Sequence, residues 1–166
     1  MLKPMLVDYG YSMKDIGIMS GIVGTSIGCL ASFGGGFVVR KLVRHTSRIL
    51  FAVCTLVTTI YFCLLINIIP LNVATLHLGI SLLWASYGMS VIVVYTTAMD
   101  CVRPGYEGTD FTIQTVITHL SGIIIGVSSG KIAAIITYQG LFVVTACIAA
   151  VSLLFILFTF KLKAPK

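Results

Sequence analysis

His119 is the residue with the most chemical potential in this sequence. It stands nine residues past Asp110 in a long apolar run, about 13 Å along a helix axis at ~1.5 Å per residue. That is close to the middle of a hydrocarbon core about 30 Å thick. An ionisable group at such depth is a functional candidate, and an unperturbed pKa of about 6.5 suits an imidazole to relaying protons. The competing reading is a neutral histidine hydrogen-bonded to a neighbouring helix. Around it, Thr112, Thr115, Gly122, Gly126 and Ser129 recur at helical spacing and share its face, while Ile113, Val116, Ile117, Leu120 and Ile124 take the other. The polar face is expected to meet protein or water, as a cavity wall or a helix interface, and the apolar face lipid. Gln114, Thr115, His119, Lys131 and Tyr87 are the candidate substrate or proton pathway residues. Lys131 lies nearer a helix end, where it either snorkels to headgroups or binds a solute. Tyr87, with Trp84 and Tyr95, offers ring faces and hydroxyls to a ligand or packs in a core.

The elements that position these residues follow from length. A helix needs about 20 apolar residues to cross a bilayer. Five runs qualify, at about 16–39, 49–69, 73–98, 110–136 and 141–160. They are apolar throughout rather than alternating, so helices and not barrel strands satisfy their backbone groups. The expected fold is an all-α, polytopic membrane bundle of about five spans in a single domain, 1–166. The first run carries Gly17/Gly21 and Gly24/Gly28 pairs, continued by Ser32 and Gly36. That spacing lets helices approach closely in lipid. Gly122 and Gly126 are read as packing positions in the same way.

Breaks between the runs have their own chemistry. Ser12 and Asp15 form a capping-box variant. Pro70 and Asn72 separate the second and third runs, Arg103-Pro104-Gly105 the third and fourth, and Tyr138-Gln139-Gly140 the fourth and fifth. The acids of segment 100–110 are expected to pair with Arg103 or with the basic loop at 40–48, and Thr109 and Asp110 suit a helix start.

Of the 166 residues, 58% are hydrophobic and 10% charged, and mean hydropathy is +1.07. Soluble domains carry about 25% charge, so a soluble fold is excluded. The net charge of +6 points to lipid headgroups and topology rather than to nucleic acid. Cys29, Cys54, Cys63, Cys101 and Cys147 form no CxxC pair, so neither a zinc site nor a disulfide framework is expected. No HExxH or P-loop is present, hence no enzyme, cofactor or metal is expected. One set of loops holds Arg40, Lys41, Arg44, Arg48, Arg103, Lys161, Lys163 and Lys166, against Lys3 and Lys14 on the other side. The positive-inside rule then puts the N-terminus outside and the C-terminus in the cytoplasm. Residues 1–7 read as the last turn of a helix whose beginning is absent, as in the tail of a longer protein.

The sequence resembles the C-terminal half of a major facilitator superfamily transporter over nearly its whole length. The residues that carry the likeness are 7–17, with Asp8, Gly10 and Asp15; the basic segment Gly34-Gly35-Gly36 through Arg40-Lys41 and Arg44–Arg48; and Met99 through Gln114, followed by Tyr138–Phe142. Val39 stands where the family pattern has an acid before Arg40. The last segment is similar to the branch of muropeptide permeases and inner-membrane ferric-siderophore importers. The resemblance implies half of a two-bundle fold, helices eight to twelve with a remnant of seven, and proton-driven solute import by alternating access. Its partners would be the bilayer, a small solute, and a separate N-terminal half or a second copy. A small membrane scaffold or assembly subunit is the alternative.

Overall fold

A computed structural model describes residues 2–42, 44–68 and 72–160. Within them the elements are α1 (Leu2–Asp8), α2 (Met13–Lys41), α3 (Arg44–Asn67), α4 (Val73–Asp100) and α5 (Glu107–Phe160). The described residues contain helices and no strand. Pro70, the end of the second run, Lys161, Lys163 and Lys166 lie outside them, as do the side chains of Arg44 and His45.

Four helices are long and apolar enough to cross a membrane: Met13–Lys41, Thr46–Asn67, Val73–Asp100 and Glu107–Phe158. The last has 52 residues, about 78 Å at ~1.5 Å per residue, far more than one crossing. It is broken at Thr137, whose φ of 65° and ψ of 167° are not helical. Gln114 and Thr118 before the break and Ala149 and Ser152 after it line one cavity, so the chain doubles back there. The fourth and fifth expected runs are thus the two arms of α5. The reversal falls at Thr137 rather than within 138–140, because helix resumes at once on its far side. Gly140 makes this geometry feasible: a β-carbon there would overlap the Ile136 side chain.

Local chemistry sets the other ends. Ser12 caps α2, its hydroxyl accepting from the Asp15 N–H at 3.2 Å. Asn72 caps α4 through a capping box with Thr75. Gly17–Gly24 of α2 is wound as a π-helix, a wider turn that shifts register within a helix.

Across the bundle α2 packs on α4, α4 on α3, and α3 on the second arm of α5, where Phe62 and Phe142 stack at 5.5 Å. The α2–α4 crossing is close. Gly24 and Gly28 lie against Trp84, and a β-carbon on Gly88 would overlap the Gly28 carbonyl and stand 2.8 Å from Ser32 Oγ. At one end Met5, Leu6, Ile16, Met19, Leu65 and Leu76 form a buried cluster. The first arm of α5 meets α4 at its base, where Tyr95 and Phe111 lie 6.0 Å apart, and most of its surface is exposed.

Candidate functional site

Hydroxyls inside an apolar helix must donate to something. On α3 they donate back along the helix: Thr55 to the Ala52 carbonyl at 2.8 Å, Thr58 to that of Cys54 at 2.9 Å and Thr59 to that of Leu56 at 2.8 Å. Ser86 on α4 does the same to Leu82 at 2.9 Å and lies 3.2 Å from the Thr58 hydroxyl. Thr55, Thr58, Thr59, Ser86, Tyr87 and Ser90 line a groove of about 530 Å³ between α3 and α4. With their protons spent on carbonyls, the oxygens of Thr55, Thr59 and Ser86 present lone pairs. The groove therefore suits a ligand bearing N–H or O–H donors, or a weakly hydrated cation. Trp84 and Tyr87 meet edge to face at 6.0 Å on its wall.

Ser90 is the exception. Its Oγ is buried without a hydrogen-bond partner among the described residues, and the residue lines both this groove and a second cavity of about 400 Å³. An unsatisfied buried hydroxyl costs about 1–3 kcal/mol, so a group that reached it would recover that amount. Thr58 lies near the middle of α3 and Ser86 near the middle of α4, which sets the groove at mid-span.

The second cavity is bounded by α3, α4 and both arms of α5. Arg48 stands at one end of it, its Nε donating to Thr97 Oγ1 at 3.0 Å and its Nη2 lying 3.7 Å from Asp100 Oδ2. Next to this end, Arg103 grips Asp110 through Nε and Nη2 at 2.9 and 2.8 Å, and its backbone N–H donates to the same carboxylate at 3.0 Å. Asp110 holds the Arg103 guanidinium above its ordinary pKa, chiefly through the side-chain hydrogen bond. The acids of segment 100–110 thus pair both with Arg103 and with Arg48, in the first turns of α3. Gly105, at φ 85°, closes the loop, and its N–H donates to Glu107 at 2.9 Å.

The expected pathway residues separate. Tyr87 lines the groove and Gln114 the Arg48 cavity. Thr115 is half-buried and donates to the Phe111 carbonyl at 2.9 Å. His119 and Lys131 are exposed and line neither cavity. Gly24 and Gly28 are packed, whereas at Gly17, Gly21, Gly122 and Gly126 a β-carbon would meet open space. The inward edge of the first arm is Phe111, Gln114 and Thr115, with Thr118 at the cavity; His119, Gly122 and Gly126 continue onto exposed surface beside Ile113 and Leu120. The reason is that no described helix packs along this arm above its base.

Arg48, Thr55, Ser90 and Thr97 are not among the pathway residues expected from sequence. A signal for part of them exists: Thr55, Thr58 and Thr59 share a helix face, as do Ser86 and Ser90.

Fold and cavities together define a multi-pass, membrane-embedded helical protein with polar positions gathered between α3 and α4. No protein-family model matches the chain, and no solved structure matches it.

Proposed function

We propose that this chain is one bundle of a secondary transporter of the major facilitator type, importing a small solute of the ferric-siderophore class with proton coupling. The observation that carries this is the hydroxyl-lined groove at mid-span, with the unpartnered Ser90 hydroxyl at its edge. Transport sites of alternating-access proteins lie near the bilayer midplane, where two bundles rock against each other. A solute rich in N–H and O–H donors complements the acceptor oxygens of Thr55, Thr59 and Ser86. The exposed first arm of α5 fits the same assignment, because a second bundle or a second copy has a polar and small-residue flank to cover. The excess of basic residues at one end supports a location in the cell (inner) membrane with that end in the cytoplasm. No catalytic reaction is assigned to it.

The test is uptake of radio-iron-labelled hydroxamate siderophore into proteoliposomes under an inward proton gradient. The chain alone is expected to be inactive. Uptake should appear with a matching N-terminal bundle, and Ser90→Ala and Tyr87→Phe should each lower it. Robust uptake by the isolated, monomeric chain would refute the two-bundle assignment. Absence of uptake from every reconstituted pair, with the exposed arm of α5 still binding a partner protein, would favour a scaffold.

A further inference from the structure

We infer that the Arg48 cavity and the mid-span groove are one hydrated half-channel, running inside this bundle from its basic end to the middle of the membrane. The two share a junction, since Thr55 on α3 and Ser90 on α4 line both. On the basic side of this neck the cavity has four walls, and each contributes a polar side chain: Arg48 on α3, Thr97 on α4, Gln114 and Thr118 on the first arm of α5, and Ser152 on the second. Its volume is about 400 Å³. That is far more than the ~15 Å³ one water needs, and a water there finds the polar partners it requires. An apolar cavity stays dry, but one with hydrogen-bonding groups on every wall fills. Arg48 lies in the second turn of α3, and the exposed Cys101 lies just past α4. From there the wall runs from Arg48 to Thr55 and from Cys101 to Ser90, about 10 to 16 Å at ~1.5 Å per residue. Half of a ~30 Å hydrocarbon core is about 15 Å, so the neck lies at mid-span and the groove continues beyond it.

The neck itself is hydrophilic. Ser90 Oγ is buried and has no partner among the described residues, so it can bond to a molecule in transit without first breaking a bond within the protein. Thr55 has given its proton to the Ala52 carbonyl and presents lone pairs across from it. Past them, Thr59 and Ser86 offer oxygens of the same kind. Water, or a small hydrophilic ion, therefore meets an oxygen at each stage from the basic end to the groove. Arg48 marks the mouth, where Thr97 and Asp100 hold its guanidinium. The path lies between helices of this one chain and needs no second bundle. It goes beyond the transporter assignment, in which a mid-span site is reached between two bundles, and does not depend on it.

Reaction of engineered cysteines with silver ion, a small hydrophilic thiol reagent, tests this in membrane vesicles of both orientations. The native cysteines of the full chain are replaced by alanine. One reporter is then introduced: Leu83→Cys in the groove, Val93→Cys in the cavity, or Val57→Cys, which lines neither and is 55% exposed. Thiol left unreacted is measured with a maleimide after denaturation. From the side bearing the basic end, the Leu83 and Val93 reporters should react about ten-fold faster than the Val57 reporter or more, because a thiol ionises in water and not in hydrocarbon. Ser90→Phe, at the neck, should abolish that advantage at Leu83 and spare it at Val93. Ala149→Phe, which fills the cavity from the second arm of α5, should abolish it at Leu83 too, and is the deciding block if Ser90→Phe does not elute as a folded species. A Leu83 reporter as slow as that at Val57, or as fast with the blocks as without them, overturns the proposal. So does reaction at Leu83 from the opposite side alone. Silver access retained in a chain that imports no siderophore with any N-terminal bundle would sink the transport assignment and leave the half-channel standing.

Discussion

Trp84 of α4 lies across Gly24 of α2, its indole so near that a β-carbon on the glycine would overlap Cδ1 and Nε1. Four residues further along each helix, Gly88 meets the Gly28 carbonyl. This interlock, in which the absence of side chains on α2 makes room for a large one on α4, joins the helix carrying Tyr87 and Ser90 to its neighbour.

Gly88→Ala is expected to destabilise the bundle by about 1–3 kcal/mol, the cost of forcing atoms into packed space, because the atom it meets is backbone and cannot rotate away. Gly126→Ala, facing open space, should be neutral or stabilising by up to about 1 kcal/mol through helix propensity. Thermal unfolding in detergent compares the two. Equal effects would show that the close crossing is not a constraint.

Thr137 sits at φ 65° and ψ 167°, a region essentially reserved for glycine and costing other residues about 1–3 kcal/mol. Thr137→Gly should therefore raise stability while preserving the reversal of α5. A variant less stable than the parent would count against this backbone conformation.

Ser90→Ala should separate stability from function. Removing an unpartnered buried hydroxyl is expected to stabilise the chain by about 1 kcal/mol. In an assembled transporter the same change should weaken solute binding. If it lowered both stability and binding, the hydroxyl would have a structural partner instead.

His119 is exposed along the first arm of α5. In the isolated chain, His119→Leu should raise the unfolding temperature, because an imidazole facing hydrocarbon is unfavourable. In the assembled protein, His119→Gln should reduce proton-coupled uptake more than solute binding. A His119→Leu variant with an unchanged unfolding temperature would mean that water or headgroups already solvate the ring.

Cys101 is an exposed thiol next to Arg103 at the basic end. A membrane-impermeant thiol reagent should miss it in intact cells and label it in inverted vesicles. Labelling from outside would reverse the orientation.

The sequence by itself determined that this chain is helical and multi-pass, and roughly where its spans lie. Backbone groups have no partner in hydrocarbon except each other, so long apolar runs must be helices whatever surrounds them. The cap at Ser12 with Asp15 was legible because its groups lie within three residues, whereas Asn72, read from sequence only as a break, proves to cap α4. The pairing of acids in segment 100–110 with nearby and preceding arginines was also legible, since opposite charges gather at one end of the bundle.

Only the tertiary structure decided which helices are neighbours and which polar residues converge. Because lipid is as apolar as a protein interior, hydrophobic periodicity does not say which face of a span is covered. The stripe through His119 therefore reads as inward, yet nothing described covers it. The three threonines and two serines of the groove, Thr55, Thr58, Thr59, Ser86 and Ser90, are unremarkable in their separate spans. They become a site because α2 seats α4 through Gly24, Gly28 and Gly88, and α4 then lies along α3. Side-chain volume at the crossing, not hydropathy, makes that choice.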